Sequence, residues 1–400
     1  MTNEYENERI FTKSFFLIFG ALLFTSLVMY ALMSTVTEYA TAMGSSATIA
    51  GLVSGIYVFG GLCSRIYSGD ALEKKGWRRI AVTFMAIHFL ACLLYFIVDN
   101  VVLLLLVRFI HGIGFGASAN AIVTIATEIL PKKRFGEAFG YFMLGTTIAV
   151  GLGPFIGGFL YDYVSSTGCF LAASVFSFMA LICMLSLDVD EYDHRRTKEV
   201  TDTNGTGDEK RYGGLEKIFE YKAMPVSLFT ALTSLGYVSI LSFYRLYAVE
   251  VNLTGIFSWF FIIYSVCLVL SRPVAGKIQD NNGDMIVCIT GILAQTLGLF
   301  LIAWMPSNFS VVICAICAAL GFGTLSSACT TIVTRNSSPQ RRSYALSTFF
   351  IFCDATMGFG PALLGSFVSA STGYAPLYYI SSLITLLALP ICIYSLKKLN

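Results

Sequence analysis

Long apolar runs separated by short polar segments follow one another along most of the chain. A helix needs about 20 predominantly apolar residues to cross the hydrocarbon core of a bilayer, and this pattern predicts twelve such helices. Backbone amides in lipid must pair internally, and no run alternates like a barrel strand, so helices are predicted rather than strands. The predicted spans cover residues 12–37, 47–68, 80–98, 101–129, 137–161, 168–187, 222–247, 255–275, 285–305, 308–333, 344–368 and 374–394.

A polar segment divides the predicted spans into two groups of six. Residues 188–220 are rich in charge and lack apolar periodicity, which is typical of a flexible linker. We therefore predict an N-terminal six-helix bundle over residues 1–187, a cytoplasmic linker over 188–220 and a C-terminal six-helix bundle over 221–400.

The distribution of Lys and Arg predicts the orientation of the helices. Cytoplasmic segments next to membrane spans are enriched in these residues. The loops near 38–47, 99–100, 162–168, 306–308 and 369–374 contain neither, whereas the segments at the opposite helix ends contain most of them. The pattern predicts a multi-pass protein of the cell membrane with both termini in the cytoplasm.

Composition agrees with a bilayer as solvent and excludes several classes of protein. Of 400 residues, 56% are hydrophobic and 12% charged, against about 25% charged in soluble domains. The eleven cysteines lie mostly in apolar runs, and Cys314-x-x-Cys317 has no second pair or His at metal spacing, so no metal site is expected. HExxH, GxSxG and GxxxxGK[ST] motifs are absent, which argues against an enzyme or an ATP-driven pump, and no basic face suggests nucleic acid. No cofactor is expected.

An internal repeat relates the two groups of spans. Ser64-Arg65-x-x-x-Gly69 recurs as Ser271-Arg272-x-x-x-Gly276, at an offset of 272 − 65 = 207 residues. The same offset pairs Gly76 with Gly283, Gly114-Phe115-Gly116 with Gly321-Phe322-Gly323, Gly153-Pro154 with Gly360-Pro361, and Tyr30 with Tyr237. One gap-free register across five helices predicts two parallel structural repeats, an architecture that places the substrate near the midplane between them.

Three motifs resemble signatures of the major facilitator superfamily, and the resemblance covers the whole chain. Gly69-x-x-x-Glu73-Lys74-x-Gly76-x-Arg78 resembles the family's signature between helices 2 and 3, and residues 276–283 resemble its degenerate second copy. Residues 108–112, Arg-x-x-His-Gly, resemble the helix-4 signature with His in the place of Gln. Residues 153–158 resemble the helix-5 antiporter signature, although Ala149 replaces its leading Gly. The resemblance implies two pseudo-symmetric six-helix bundles that alternate access to a central cavity.

The loop motifs predict a cytoplasmic gate. The resemblance implies that Glu73 meets the start of helix 11, and we predict pairing there with Arg341 or Arg342. We also expect Arg78 or Arg79 to reach Glu128. By the repeat, Asp280 should meet the start of helix 5. The predicted gate residues are Gly69, Glu73, Lys74, Gly76, Arg78, Arg79, Glu128, Gly276, Asp280, Gly283, Arg341 and Arg342. The alternative is that these charges only anchor the helices in the membrane.

A second motif predicts bending points. Pro154 and Pro361 each remove a backbone hydrogen bond from a span and permit a bend, while glycines allow close helix contact. The helix-bend motif comprises Gly153, Pro154, Gly157, Gly158, Gly360 and Pro361. Static packing is the alternative reading of the same residues.

Ionisable residues inside the predicted spans are candidates for function. Asp354 lies about ten residues into helix 11, roughly 15 Å from its start at 1.5 Å per residue, and its repeat partner is Thr147. A carboxylate there costs insertion energy and would suit a proton carrier, or else makes a structural hydrogen bond. Arg108 and His111 share one face of helix 4 and are candidates for coupling. The alternative for Arg108 is a fixed contact with a backbone carbonyl, and the alternative for His111 is a structural role as a buried core histidine.

Glu38 and Arg245 end helices 1 and 7 on the predicted outer side and are 207 residues apart (245 − 38), which suggests an outer-gate ion pair. The resemblance implies that these helices face the cavity, so Tyr30, Tyr237 and Tyr244 are expected to line it, together with Asn120 on helix 4. Interfacial water is the alternative partner for each charge.

The sequence therefore predicts a secondary active transporter, with proton-coupled efflux of a small-molecule substrate favoured by the helix-5 motif. The alternative is a proton- or cation-coupled symporter that imports a sugar, peptide or organic acid. A second alternative is a non-transport sensor on a transporter scaffold. We expect a proton as coupling ion, the lipid bilayer as surroundings and a monomer as the working unit.

Overall fold

The computed structural model describes residues 9–131, 135–188, 220–337, 342–369 and 371–399. Side chains at 66–75, 135–137, 273, 280, 342–344, 347 and 399 lie outside this description. The described part contains twelve helices long and apolar enough to cross a membrane. In chain order these are α1 (Lys13–Ala42), α2 (Ala47–Lys75), α3 (Trp77–Leu94), α4 (Val101–Ile129), α5 (Phe135–Tyr163), α6 (Ser166–Leu185), α7 (Met224–Glu250), α8 (Thr254–Asn282), α9 (Asp284–Trp304), α10 (Asn308–Arg335), α11 (Arg342–Gly365) and α12 (Ala375–Leu399). Each coincides with one predicted span, so the all-α polytopic fold is confirmed.

Local sequence explains where several helices begin. The Asn100 side chain accepts from the Leu103 backbone at 2.9 Å and caps α4. Ser165 caps α6 in the same way, and Ser307 with Ser310 forms a capping box at the start of α10. These caps satisfy amide groups that the helix itself leaves unpaired.

Glycines at matched repeat positions make two of the tight connections. Gly76 between α2 and α3 has φ 84°, and Gly283 between α8 and α9 has φ 88°. This left-handed region is costly for residues with a Cβ atom and open to glycine. The repeat pair therefore has the same backbone requirement in both halves of the sequence.

Helix α10 contains a π-helical segment that the apolar pattern did not predict. Residues Ala319–Gly323 form the segment, and Gly321 has φ −73° and ψ −111°. The residues 207 positions earlier, 112–116, belong to the regular helix α4. Short π-helical segments inside α-helices occur frequently at functional sites.

The structure divides into two compact units. Unit 1 comprises Met1–Leu32 and Phe59–Arg211, and unit 2 comprises Met33–Val58 and Tyr212–Asn400. Residues 33–58, which the sequence division assigns to the N-terminal bundle, thus belong to unit 2. The predicted linker lies almost entirely outside the described residues, and the division into two six-helix bundles stays a prediction.

Each unit has its own apolar core. In unit 1 the core includes Trp77, Met85 and Phe142, and in unit 2 it includes Phe229 and Phe349. Many large apolar side chains point away from these cores. They include Val102, Phe309, Leu270 and Trp304, each more than half exposed. A lipid environment accepts such surfaces, whereas a soluble protein of this size rarely exposes them.

Candidate functional site

The ion pair predicted from the repeat is present in unit 2. Arg245 Nε on α7 donates to Glu38 Oε2 on α1 at 2.7 Å, and their side chains are 8% and 19% exposed. A pair this close and this shielded is held by a charge-assisted hydrogen bond in a region of low polarity. Its role as an outer gate stays a prediction.

Hydroxyl groups next to this pair join three helices. Thr37 Oγ1 on α1 donates to the Ser242 carbonyl on α7 at 2.6 Å, and Ser54 Oγ on α2 lies 3.3 Å from Ser242 Oγ. All three side chains are buried. Sequence reasoning missed these residues, because single hydroxyls on apolar helices carry no periodic signal. We call Glu38, Arg245, Thr37, Ser54 and Ser242 the polar cluster.

The first turns of α2 pack directly on the backbone of α11, also within unit 2. A Cβ atom at Gly51 would lie 2.5 Å from the carbonyl carbon of Pro361, and one at Gly55 would lie 2.8 Å from that of Gly358. A Cβ atom at Gly365 would lie 2.7 Å from the carbonyl carbon of Ala47. We call these contacts the α2–α11 seam. Backbones approach this closely only where side chains are small.

Asp354 lies on the stripe of α11 that forms the seam. Positions 354, 358, 361 and 365 follow the helical spacing of four, three and four residues, so they share one face. Asp354 is half-buried and precedes Gly358 by one turn. Asp354 therefore lies one helical turn from the close contact between Gly55 and Gly358.

The predicted aromatic residues of α7 contact the irregular part of α10 and the helix α8. The Tyr237 ring stacks on Phe322 of the π-helical segment, with centroids 4.5 Å apart, and lies 5.7 Å from the Tyr264 ring. Tyr244 packs edge-on against Phe261 at 5.0 Å. Phe322 was not among the predicted site residues, although it lies in the Gly-Phe-Gly repeat that could have indicated it.

In unit 1, Arg108 and His111 are fully buried on α4. Arg108 Nη1 donates to the Tyr95 hydroxyl at 3.5 Å, and the same hydroxyl lies 3.0 Å from His111 Nδ1. Tyr95 begins the short 3₁₀ turn that follows α3. Both predicted residues therefore converge on Tyr95, which sequence reasoning did not single out. Asn120 and Tyr30 are half-buried in the same unit, and the lining of a cavity by these residues stays a prediction.

The glycines of the helix-bend motif are sites of close packing. Pro154 and Pro361 both lie inside continuous helices. A Cβ atom at Gly153 would lie 2.7 Å from that of Tyr30, and a Cβ atom at Gly360 would lie 2.6 Å from a methyl carbon of Leu235. Gly157 packs on the Ala31 backbone, and Gly158 is buried. Packing is thus present at each motif, and bending during transport stays a prediction.

Half of the predicted cytoplasmic gate residues lie outside the described side chains. This applies to Gly69, Glu73, Lys74, Asp280, Arg341 and Arg342. Of the remainder, Arg78 donates to the Leu185 carbonyl at 3.4 Å, Arg79 is exposed, Glu128 is half-buried, and a Cβ atom at Gly276 would meet nothing within 4 Å. The pairings predicted for Glu73, Asp280 and Glu128 stay predictions.

An acid–base pair that was not predicted joins α9 to α10. Asp284 forms an ion pair with Arg335 and accepts from Gln279 Nε2 at 2.8 Å. The positions 207 residues earlier are Trp77 and Glu128. The repeat could not indicate Asp284, because its counterpart is an uncharged tryptophan, and the partner of Arg335 comes from a different helix.

In the described part of the chain, the side chains of His88, Cys92 and His111 come as close together as the ligands of one metal ion. One potential ligand atom from each residue lies within 4.8 Å of the other two. Sequence spacing predicted no metal site, because these residues come from two helices and match no linear motif. No other group of three or more His, Cys, Asp or Glu residues has this geometry among the residues that were described.

Comparison with known proteins agrees with the fold. The family model "Major Facilitator Superfamily" matches residues 18–257 and 226–399. The chain is 23% identical over 350 residues to the "Uncharacterized MFS-type transporter MJ1560" of Methanocaldococcus jannaschii, covering 87% of this chain and 89% of that protein. It is 27% identical over 342 residues to "Multidrug resistance protein MdtG" of Citrobacter koseri, covering 83% and 81%.

Solved structures show the same fold at low identity. The nucleoside transporter NupG superimposes with a TM-score of 0.75 at 14% identity, covering 97% of this chain and 100% of that one. Twelve membrane-length helices, a matching family model over nearly the whole sequence and transporter relatives of similar length lead to one conclusion. The chain belongs to the major facilitator superfamily and is a multi-pass membrane transporter.

Proposed function

We propose that this chain exports a small organic solute in exchange for protons, by alternating access. The relatives named multidrug resistance proteins support export, since the match to one of them covers more than four-fifths of both chains. The helix-5 motif at residues 153–158 supports exchange rather than cotransport. Neither supporting point identifies the solute.

The observation that carries the proposal is the position of Asp354. A carboxylate in the middle of a membrane helix is costly unless it faces protein or a water-filled space. Asp354 lies one turn before the seam residue Gly358, on the same face of α11, and is half-buried. A group in this place would bind a proton or a solute on one side of the seam. It would release that proton or solute to the other side once the seam opens.

The polar cluster supplies a reversible closure in this scheme. Its contacts are one ion pair and two hydroxyl contacts, which water can replace when the helices part. An apolar seal of the same size would expose hydrophobic surface on opening. The cluster and the seam would therefore open together, while α7 and α11 keep their packing on α12 and α10.

Transport by purified protein in proteoliposomes tests the proposal. The membrane potential is clamped with valinomycin and potassium, ethidium is the fluorescent solute, and an internal pH dye reports protons. We expect ethidium to accumulate in vesicles with an acid lumen and the lumen to become alkaline as it does so. Asp354→Asn should abolish this accumulation, whereas Asp162→Asn, which removes an exposed carboxylate at the end of α5, should retain it.

The direction of accumulation also separates the alternative function. A symporter would accumulate solute in vesicles with an alkaline lumen, whatever the orientation of the protein in the membrane. Accumulation of that kind would contradict antiport. Accumulation by Asp354→Asn at the wild-type rate would contradict the role of Asp354 alone.

A further inference from the structure

Two of the three histidines of the chain meet in the interior of unit 1. His88 on α3 and His111 on α4 are 1% and 0% exposed, and their ring centroids are 4.4 Å apart. Gly114 makes this approach possible, because a Cβ atom there would lie 2.6 Å from the His88 backbone nitrogen. The proposed transport mechanism uses no property of His88.

A thiol completes the group. Cys92 follows His88 by one turn of α3, is fully buried, and its Sγ lies 3.4 Å from His111 Nε2. One ligand atom from each of the three residues lies within 4.8 Å of the other two. Ligand atoms around a three-coordinate ion lie roughly 3.5–4 Å apart at metal–ligand distances of about 2.0–2.3 Å. Small side-chain rotations would therefore bring all three atoms to bonding distance.

His88 lacks the contacts that a structural histidine normally makes. Neither of its ring nitrogens forms a hydrogen bond of standard length and angle with a described residue, although the side chain is buried. Buried polar atoms without a partner are rare in native proteins, and the binding of an ion is one of the recognised explanations. A lone pair of one ring nitrogen is available to bind a cation.

The surroundings of His111 orient its imidazole ring. Its Nδ1 lies 3.0 Å from the Tyr95 hydroxyl, which also accepts from Arg108. Assigning the imidazole proton to Nδ1 leaves the lone pair of Nε2 directed towards Cys92. A hydrogen bond from the second ring nitrogen of this kind is the usual support of a metal-bound histidine.

Charge balance selects the kind of ion. Two neutral imidazoles and one thiolate carry a single negative charge, so a monovalent cation gives a neutral complex. A divalent cation would leave a net positive charge in an apolar interior beside Arg108, which is unfavourable. Thiolate ligands select soft ions, Cu(I) among them. We propose that His88, Cys92 and His111 form a three-coordinate site for Cu(I), which fastens α3 to α4.

The binding step is a simple exchange of a proton for the ion. The Cys92 thiol releases its proton, its sulfur binds Cu(I), and no electron is transferred. Binding should therefore strengthen as pH rises, since protons compete for the thiolate. The proposal concerns ion binding alone and does not rest on the proposed function, so it can be tested whether or not the chain is an antiporter.

Anaerobic titration of the purified protein with Cu(I) against a coloured chelator tests the site. We expect wild type to bind one equivalent of Cu(I). The affinity of His88→Leu and of Cys92→Ala for this equivalent should be at least tenfold lower. His194→Ala and Cys314→Ala are matched controls, because they remove the third histidine and another buried cysteine. X-ray absorption of the loaded protein should show one sulfur and two nitrogen ligands.

Ag(I), a soft ion without redox chemistry, gives a second readout by thermal unfolding. It should raise the melting temperature of wild type and of both controls, and leave that of His88→Leu unchanged. His88→Leu is expected to fold, because it removes two polar atoms that have no partner. The proposal would be overturned if His88→Leu bound Cu(I) as tightly as wild type. It would also be overturned if the controls His194→Ala and Cys314→Ala lost Cu(I) binding to the same extent as the site variants.

Discussion

Arg245 near the end of α7 and Glu38 near the end of α1 form an ion pair, and their side chains are 8% and 19% exposed. Removing one member of a shielded pair leaves the other as an uncompensated charge, which costs about 3–5 kcal/mol. We predict that Glu38→Gln and Arg245→Gln each lower the melting temperature by several degrees. The double exchange Glu38→Arg with Arg245→Glu should recover most of the loss. Circular dichroism of the purified variants during heating measures both effects.

Lys277→Gln is the control for this comparison, because Lys277 is exposed on α8 and its loss removes one charge without uncovering another. Its melting temperature should equal that of wild type. If Arg245→Gln were equally stable, the ion pair would not be shielded in the way the geometry indicates.

At the same scale, the residues that sequence reasoning found share one property. Glu38, Arg245 and Asp354 are charges in an apolar environment, and such charges stand out in the sequence because their burial is costly. Thr37, Ser54 and Ser242 form equally close contacts but were missed. A serine or threonine in a membrane helix can bond to its own backbone, so its presence alone does not predict a partner.

Helix positions were predictable because hydropathy sets the length of a membrane span, although α2 and α8 each extend seven residues beyond their predicted ends at 68 and 275. What happens inside a span was less predictable. The π-helical segment of α10 lies in an apolar run whose hydropathy is uninterrupted. The π segment and the seam between α2 and α11 depend on which backbone each helix meets. That information is spread over residues far apart in the chain.

The α2–α11 seam leads to a prediction about whole helices. Alanine is a better helix former than glycine by about 1 kcal/mol, so Gly55→Ala would not weaken α2 itself. Its methyl group would overlap the Gly358 carbonyl and force α2 and α11 apart. We expect at least a tenfold loss of flux. We also expect a longer distance between spin labels placed at Ile49 and Phe367, which are both exposed and lie at the end of the seam where Ala47 meets Gly365.

Gly140→Ala is the matched control, because a Cβ atom at Gly140 would meet nothing within 4 Å. It should leave both the flux and the spin-label distance unchanged. A normal distance in Gly55→Ala would mean that the seam tolerates a methyl group, and the close approach would then have no part in transport.

At the scale of the whole molecule, alternating access requires the polar cluster to open once in each cycle. Ser54 and Ser242 allow a direct test, since their Oγ atoms are 3.3 Å apart and both side chains are buried. A disulfide of about 2.05 Å between cysteines at these positions would need the two sulfur atoms to lie about 1.2 Å closer together than these oxygen atoms do. We predict that oxidising the double variant Ser54→Cys with Ser242→Cys stops ethidium flux and that reduction restores it.

The eleven native cysteines make the oxidised wild type an essential control, together with each single variant. All three should retain their flux after oxidation, because only the double variant can join α2 to α7. Mass spectrometry of the peptides that contain residues 54 and 242 gives the cross-linked fraction. Transport by fully cross-linked protein would mean that these helices stay together throughout the cycle. The solute would then have to leave by a path that does not pass the polar cluster.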